Sequence, residues 1–274
     1  MQKLFSTGVW IERGGRGKLK SMFEPLNNFF DKIYVITLQR ATDRHLQIQE
    51  QLTGLKYSLL YGSDKKNILV ENLVKKNQYN PQEAVKKHLM HKQMTTGEIG
   101  CAISHTMVYQ DMIKNNFKKV LVLEDDVVID KKNIALFDNI KNELPANWQL
   151  WYLGFAKNAV PPGNAGIKKF FYHLLFYLGL KKTLNHTVIN HLYPAPYSSH
   201  LKKAGFHDCT HAYAITLEAA QILLQQQTPV TYTADNLLAF TITNNLLQAF
   251  ISQPTMINQQ YQVAGSTSTS YLNQ

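Results

Sequence analysis

Short runs of consecutive apolar residues recur along the chain, and polar segments separate them. Runs that lack an alternating pattern are typical of strands buried on both faces of a parallel sheet. The central run, Val120–Leu123, ends abruptly in three acidic residues. The strands predicted on this basis are residues 32–38, 57–61, 120–123, 149–154, 211–216 and 248–252.

Segments with a helical apolar period lie between these strands. One of them begins at Thr95-x-x-Glu98, which resembles a capping box, and its Gly97 and Gly100 allow another backbone to approach closely. The alternation of strands and helices predicts an α/β fold, but no GxGxxG follows the first strand, which disfavours a dinucleotide-binding domain. The predicted helices are residues 43–52, 97–114, 133–143, 217–227 and 237–247.

Glu124, Asp125 and Asp126 follow the central strand directly, at the edge where open α/β sheets bind their ligands. In an extended chain Glu124 and Asp126 point to one side and Asp125 to the other. Such hard oxygen ligands favour Mg²⁺ or Mn²⁺, which also accept a diphosphate as co-ligand. The alternative is a solvated acidic strand end. We prefer the metal–diphosphate site because adjacent carboxylates repel one another unless a cation offsets their charge.

Basic residues follow the first predicted strand. Arg40 and Arg44 could hold a pyrophosphate, because guanidinium groups bind phosphate oxygens in pairs, or they could be two exposed arginines at a helix start. His105 lies in the middle of the helix predicted over residues 97–114. A hydrogen-bonded interior histidine and a functional histidine are equally good interpretations of that position.

The composition restricts the class of protein. With 274 residues and 45% hydrophobic content, the chain can form one large α/β domain with appendages. The net charge of +10 favours anionic partners, but the lysines are scattered in pairs without interleaved aromatic residues, so nucleic acid is not an expected partner. Two cysteines give no disulfide framework, and no signal-peptide pattern opens the chain, so we expect a cytoplasmic protein with reduced cysteines.

The catalytic or binding domain is expected over residues 32–255. Residues 1–31 are interpreted as an N-terminal extension that is mobile or peripheral, and the alternative is that its apolar side chains dock as one short helix. Residues 256–274 form a polar tail, and residues 155–210 form a variable region within the domain that would face the acceptor or a membrane.

Residues 168–182 have an apolar centre with a lysine pair at each end. The segment is too short to span a bilayer, which takes about 20 apolar residues. Our preferred interpretation is a buried helix of the variable region. The alternative is a helix in a membrane interface with its lysines on anionic head groups, which would make the protein peripheral on the inner face of the cytoplasmic membrane.

Three sequence blocks occur in order: IYVITLQRATDRH (33–45), TGEIGCAISHTMVY (96–109) and VLVLEDDVVI (120–129). They resemble glycosyltransferase family 25, the lipooligosaccharide-biosynthesis galactosyltransferases, over about residues 32–255. The resemblance implies a GT-A-like (Rossmann-like) fold, in which a mixed, mostly parallel sheet is flanked by helices. It also implies a UDP-hexose donor, usually UDP-galactose, with Mn²⁺ or Mg²⁺, and a saccharide or glycolipid acceptor of lipooligosaccharide, lipopolysaccharide or another surface glycan.

The resemblance also assigns roles by position. It implies that Asp126 contacts the metal, that Glu124 lies near the metal or the donor ribose, and that Asp125 lies near the donor sugar. Asp64 matches a turn position that could accept the uracil N–H. His211 is a further candidate metal ligand, because imidazole is a tolerated ligand of Mn²⁺. The residues assigned to the nucleotide-sugar site are Thr37, Arg40, Arg44, Asp64, His105, Glu124 and Asp125.

Our hypothesis for the reaction is an inverting transfer. The cation neutralises charge on the departing UDP, and a carboxylate takes the proton of the acceptor hydroxyl. Asp235, expected at the end of a loop, is the first candidate for this base, and Asp208 is the second. Two other functions stay open: a non-catalytic domain of the same fold that binds a glycan or a nucleotide, and a metal-dependent nucleotidyltransferase.

Overall fold

The computed structural model of the protein describes residues 22–88, 91–156, 159–180, 184–207 and 210–264. The strands are β1 (Lys32–Thr37), β2 (Ser58–Tyr61), β3 (Lys119–Glu124), β4 (Val127–Ile129), β5 (Leu150–Gly154), β6 (Ala195–Pro196), β7 (Leu201–Lys203), β8 (Ala212–Thr216), β9 (Ala249–Ser252) and β10 (Ile257–Gln259). The helices are α1 (Glu24–Phe29), α2 (Thr42–Gln51), α3 (Val70–Lys75), α4 (Pro81–Lys87), α5 (Thr96–Asn115), α6 (Lys131–Ile134), α7 (Phe137–Asn142), α8 (Ala165–Tyr177), α9 (His186–Asn190), α10 (Leu217–Gln226), α11 (Ala234–Thr243) and α12 (Gln260–Ala264). A 3₁₀ turn (Lys65–Asn67) follows β2.

Eight of these strands form one sheet in the order β2-β1-β3-β8-β5-β9-β7-β6. Among the first six, only β8 runs antiparallel to its neighbours, since β1 pairs in parallel with β2 and β3, and β5 pairs in parallel with β9. Strands β4 and β10 form a separate antiparallel pair. Helices cover both faces of the large sheet. The predicted α/β fold class, with a mixed sheet in which most strands run in one direction and helices on both faces, is confirmed.

The apolar run of β3 is buried on both sides, as its lack of alternation predicts. Leu121 and Leu123 pack into a core on one face of the sheet, which helices α1, α2 and α7 cover. Val120 and Val122 point the other way, into a core that α5, α10 and α11 cover. All four side chains are fully buried, so the acidic residues that follow them leave the sheet from its centre.

Helix α5 begins with the capping box that the sequence indicates. The Thr95 side chain accepts a hydrogen bond from the Glu98 backbone, and the Glu98 side chain accepts one from the Thr95 backbone. Further along, Ser104 Oγ accepts a hydrogen bond from the Ser63 backbone at 2.9 Å, in the turn after β2. A Cβ at Gly100 would lie 2.5 Å from the Ser63 carbonyl oxygen, so only glycine permits this close approach.

The preferred interpretation of residues 168–182 is wrong. A helix forms there, as α8, but none of its residues is buried. Its apolar side chains lie on the surface, with Phe170 67% and Tyr177 74% exposed. The apolar composition indicated burial because it cannot reveal which way the helix faces.

Smaller differences concern helix boundaries. The helix expected over residues 133–143 forms as two short helices, α6 and α7. The loop expected to end at Asp235 ends earlier, because Thr233 caps α11 and places Asp235 in its first turn. At the start of the described chain, α1 docks with Phe23 and Leu26 in the core, which agrees with the short-helix interpretation of the extension.

No helix in the described part of the chain has both the length and the apolar content needed to span a bilayer.

Replacing Gly100 by alanine should lower the free energy of unfolding by about 1–3 kcal/mol, because its Cβ would meet backbone rather than a flexible side chain. Gly166→Ala, in α8, is the matched control, since a Cβ there meets nothing within 4 Å. Urea unfolding of both variants is the measurement. Equal stabilities would mean that the turn after β2 does not fix the position of α5.

Candidate active site

The acidic residues leave β3 at the edge of the sheet where β1 also ends. The two strands are parallel and in register, with Ile36 opposite Glu124. Thr37, the last residue of β1, therefore lies beside the acidic turn, and its Oγ1 donates a hydrogen bond to Asp125 Oδ2 at 2.6 Å. The structure thus brings together the ends of the first and third strands, as a parallel sheet requires.

Asp125 is held in a nearly buried ion pair. Its second oxygen, Oδ1, accepts a hydrogen bond from Arg44 Nη1. The side chains of Arg44 and Asp125 are only 11% and 9% exposed. His45 Nε2 lies 3.2 Å from Thr37 Oγ1 and extends the same network. Both Asp125 oxygens are therefore engaged, which fixes the turn after β3.

Glu124 faces a different set of partners. Its Oε1 accepts a hydrogen bond from Thr210 Oγ1 at 2.5 Å and lies 3.5 Å from His105 Nε2. Burial by itself would raise the pKa of Glu124, but the hydrogen bonds from His105 and Thr210 outweigh it, and the pKa lies below its usual value. Glu124 is therefore ionised at neutral pH.

His105 connects Glu124 to two buried tyrosines. Its Nδ1 lies 2.7 Å from Tyr213 Oη, which in turn lies 3.1 Å from Tyr109 Oη. Burial raises the pKa of both tyrosines, so both stay protonated. A histidine that carries its proton on Nε2 fits this chain, since it donates toward Glu124 and accepts from Tyr213. His105 is hence both an interior hydrogen-bonded residue and a neighbour of the acidic turn.

Asp126 is the least compensated of the three acids. Gln259 Nε2 donates to its two oxygens over 3.3 and 3.4 Å, and the pairing of β4 with β10 brings Gln259 there. Burial raises the pKa of Asp126 to about 7, and the charges of Glu124 and Asp125 add to the effect while Arg44 opposes it. A positive charge close to Asp126 would favour its ionised form.

His211 supplies an unpaired buried nitrogen close to this turn. Its backbone carbonyl accepts a hydrogen bond from the Glu124 N–H at 2.9 Å, and its Nε2 lies 3.2 Å from the Ile257 carbonyl oxygen. Its Nδ1 is buried and has no hydrogen-bond partner among the described residues. Burial lowers the pKa of His211, so the ring is neutral and Nδ1 carries a lone pair. A Cβ at Gly154 would lie 2.4 Å from Nε2, so glycine makes room for the ring.

Cys101 was not among the predicted site residues, yet it lies close to Glu124 and His105. Its Sγ, the ring of His105 and the carboxylate of Glu124 present atoms that all lie within 4.8 Å of one another. Burial raises the pKa of the Cys101 thiol, and the charges of Glu124, Asp235 and Asp126 raise it further. The thiol therefore stays protonated.

Arg40 and Asp64, predicted separately as a phosphate ligand and a uracil ligand, contact each other. Arg40 Nε donates to Asp64 Oδ2 at 2.6 Å, and Asp64 Oδ1 caps the 3₁₀ turn through the Lys66 backbone. Burial by itself would raise the pKa of Asp64, but the Lys66 and Arg40 hydrogen bonds outweigh it and the pKa is lowered. The pair holds the turns after β1 and β2 together.

Of the two candidate bases, Asp235 lies within the described residues and Asp208 does not. Asp235 Oδ1 accepts hydrogen bonds from Thr233 Oγ1 at 2.5 Å and from the Asn236 backbone at 2.9 Å. Its other oxygen has no partner among the described residues, and the side chain is partly exposed.

Residues 30–238 match the model of glycosyltransferase family 25 (LPS biosynthesis protein). The chain belongs to this family. Family 25 relatives include human procollagen galactosyltransferase 2, which is 30% identical over 131 residues, or 46% of this chain and 21% of the relative. A probable inactive glycosyltransferase 25 family member 3 from Bos taurus is 24% identical over 202 residues, or 72% of this chain and 29% of that protein. The chain thus spans about a fifth to a third of the length of these curated relatives.

Two solved structures resemble the chain at low sequence identity. A glycosyltransferase involved in the glycosylation of the major capsid of PBCV-1 is 9% identical, with a TM-score of 0.38 over 88% of this chain and 95% of that one. Mouse xyloside xylosyltransferase 1 in its apo form is 15% identical, with a TM-score of 0.37 over 79% of this chain and 83% of that one.

Removing either partner of the Arg44–Asp125 pair should lower the free energy of unfolding by about 3 kcal/mol, because it leaves a buried charge without a counter-charge. The double variant Arg44→Met/Asp125→Asn should lose less than the sum of the single variants by about 1 kcal/mol or more. Urea unfolding of all the variants is the measurement.

The control for this double-mutant cycle is the exposed pair Lys86–Glu83, whose side chains are 70% and 42% exposed. Exposed pairs contribute about 1 kcal/mol at most, so the cycle with Lys86→Met and Glu83→Gln should be nearly additive. An additive result at Arg44–Asp125 as well would contradict the role given to this pair.

Proposed function

We propose that this family 25 protein transfers a hexose, galactose from UDP-galactose, onto a saccharide acceptor of lipooligosaccharide, lipopolysaccharide or another surface glycan. The reaction is a metal-dependent inverting displacement. The observation that carries the proposal is the acidic turn after β3, where ionised Glu124 lies next to Asp126, the least compensated acid, and the Glu124 backbone N–H donates a hydrogen bond to the His211 carbonyl oxygen. An edge of this kind can hold a cation, a diphosphate and a general base together.

The residues at this edge fit a divalent cation. Asp126 has a pKa raised to about 7 beside ionised Glu124, so a cation would relieve its repulsion. The neutral His211 carries a buried nitrogen that no described residue binds. Glu124, Asp126 and His211 are therefore the residues proposed to hold Mn²⁺ or Mg²⁺. When bound, the ion supplies positive charge for the UDP leaving group.

The donor diphosphate is assigned to Arg40 and Arg44. Each arginine is already oriented by a carboxylate, Arg40 by Asp64 and Arg44 by Asp125. A guanidinium carries five N–H donors, so it can bind phosphate oxygens while it keeps its carboxylate partner. Thr37 and His105 belong to the same site through their contacts with Asp125 and Glu124.

Asp235 is assigned as the general base that takes the proton of the acceptor hydroxyl. Its Oδ1 is held by Thr233 and by the α11 backbone, which fixes the direction of the side chain. Its Oδ2 has no partner among the described residues and is the oxygen that would take the proton. Asp208 stays the second candidate.

The choice of galactose follows from the relatives, among which procollagen galactosyltransferase 2 is 30% identical over the matched residues. The saccharide acceptor of a surface glycan follows from the family description. A cytoplasmic protein in peripheral contact with the membrane would suit a glycolipid acceptor. Relatives described as inactive favour one alternative, a non-catalytic domain that binds a nucleotide or a glycan.

Release of UDP from a panel of UDP-sugars with Mn²⁺ would separate these functions. We expect UDP release that is fastest with UDP-galactose. Donor binding without UDP release would indicate the non-catalytic alternative, and release of pyrophosphate from nucleoside triphosphates would indicate a nucleotidyltransferase.

Asp126→Asn should weaken Mn²⁺ binding, because it removes a charge from the proposed ligands. Loss of an outer partner of a metal ligand already costs about 10–100-fold in affinity, so we expect a loss of about tenfold or more. Calorimetry with Mn²⁺ alone is the measurement. Asp138→Asn, an exposed acid on α7, is the matched control. Unchanged Mn²⁺ affinity in Asp126→Asn, or full transfer activity in EDTA, would contradict the metal assignment.

Asp235→Asn should bind UDP-sugar like the parent and transfer roughly 10²-fold more slowly or worse, because a general base acts on the acceptor and not on the donor. The amide can still accept the hydrogen bonds from Thr233 and Asn236, so the fold should survive. Donor affinity by calorimetry and transfer rate are measured for this variant and for Asp138→Asn. Transfer at the parent rate would exclude Asp235 as the base and leave Asp208.

A further inference from the structure

Helix α8 exposes its apolar side. Seven large apolar side chains on this helix and in the turn after it are more than two fifths exposed. The group consists of Ile167 (63%), Phe170 (67%), Phe171 (55%), Leu174 (42%), Tyr177 (74%), Leu178 (62%) and Leu180 (69%). We call this set the α8 apolar face.

The members of the α8 apolar face that lie on the helix and its C-cap share one side. At about 100° per residue, the positions 167, 170, 171, 174, 177 and 178 fall within a sector about 120° wide. A surface helix of a globular protein normally turns such a sector toward the core. In α8 this sector faces the solvent instead.

Contacts with α9 hold the helix in this orientation. Phe176 packs against His186 with ring centroids 4.9 Å apart, and His173 stacks on the same ring. Lys169 Nζ turns inward and donates a hydrogen bond to the Asn190 carbonyl oxygen at 2.8 Å. The aromatic and charged groups on the inner side therefore have partners. The exposed side consists of apolar side chains.

The segment that carries this helix has charged residues of a single sign. Residues 144–207 contain no Asp, Glu or Arg. Their lysines are Lys157, Lys168, Lys169, Lys181, Lys182, Lys202 and Lys203. An apolar face within a purely basic segment complements a surface that is apolar inside and anionic outside, which describes a bilayer with anionic lipids. A second copy of the chain is disfavoured, because pairing two such faces would bring their lysines together.

We propose that the α8 apolar face inserts into the interface of an anionic membrane, with the neighbouring lysines on lipid phosphates. The segment that carries α8 leaves the site after Gly154, which contacts His211, and returns to it at Thr210, which contacts Glu124. Docking by α8 would therefore tether to the membrane a segment whose two ends lie at the acidic edge. The docking does not depend on the proposed transferase activity, although it would present a glycolipid acceptor to the site.

Sedimentation with vesicles tests the proposal. The protein should sediment with vesicles of phosphatidylcholine and phosphatidylglycerol at low salt, less at high salt, and little with phosphatidylcholine alone. Phe170→Ser/Leu174→Ser should reduce the partition constant by about tenfold or more, because two large side chains no longer enter the acyl region. Lys168→Glu should reduce it several-fold.

Matched controls keep the test specific. Leu46→Ser/Leu69→Ser replaces side chains outside α8 that are at least as exposed (70% and 67%) as Phe170 and Leu174 (67% and 42%), and this variant should bind vesicles like the parent. Lys75→Glu is the control for charge. All replaced residues are surface residues, and circular dichroism with thermal melting checks their folding.

Three results would overturn the proposal. The first is no sedimentation with anionic vesicles, and the second is equal loss in the α8 variants and their controls. The third is a dimer in solution by light scattering that Phe170→Ser/Leu174→Ser converts to a monomer without any vesicle binding by the parent, which would assign the face to a second copy. None of these results bears on UDP release, so a failure here leaves the proposed function intact.

Discussion

The burial of carboxylates at the end of β3 is the constraint on which the site depends. Three consecutive acids leave the centre of the sheet, and each needs a compensating group because the region excludes most water. Asp125 has Arg44 and Thr37, and Glu124 has His105 and Thr210. Asp126 has weak amide donors and the charge of Arg44, and burial together with the neighbouring acids still raises its pKa to about 7. The least compensated acid marks the place where an added positive charge would stabilise the structure most.

The antiparallel strand β8 explains how the compensating groups arrive. It lies between β3 and β5, and its direction brings the residues before it to the end of β3 rather than to the opposite edge. Thr210 and His211 thereby reach Glu124, and Tyr213 reaches His105 from within the sheet. The small β4–β10 pair does the same for Gln259. One reversed strand and one short ladder thus complete a site that the parallel strands begin.

The region between β5 and β8 connects the acidic edge to the helix that carries the α8 apolar face. It starts and ends at residues that contact the acidic edge, and between them it carries a basic segment with the α8 apolar face. The apolar sector of α8 follows the same periodicity as that of a core helix, but the contacts of Phe176 and Lys169 with α9 turn it outward. This helix therefore belongs to a segment whose two ends lie at the acidic edge.

The sequence by itself determined the strands β1, β2, β3, β5, β8 and β9, the α/β class and the position of the acids at the sheet edge, because unbroken apolar runs and capping residues act locally. It missed β10 and α12, because the polar composition of residues 256–274 indicated a tail. It could not show that Arg44 binds Asp125, that Gln259 lies on Asp126 or that Cys101 lies near Glu124, since these pairs are far apart in the chain and carry no local signal. It also could not show the direction of α8, because a periodic apolar face is the same whether a core or a membrane covers it. Only tertiary packing decides which residues meet and which faces stay uncovered, since the burial of one element depends on every other element that packs around it.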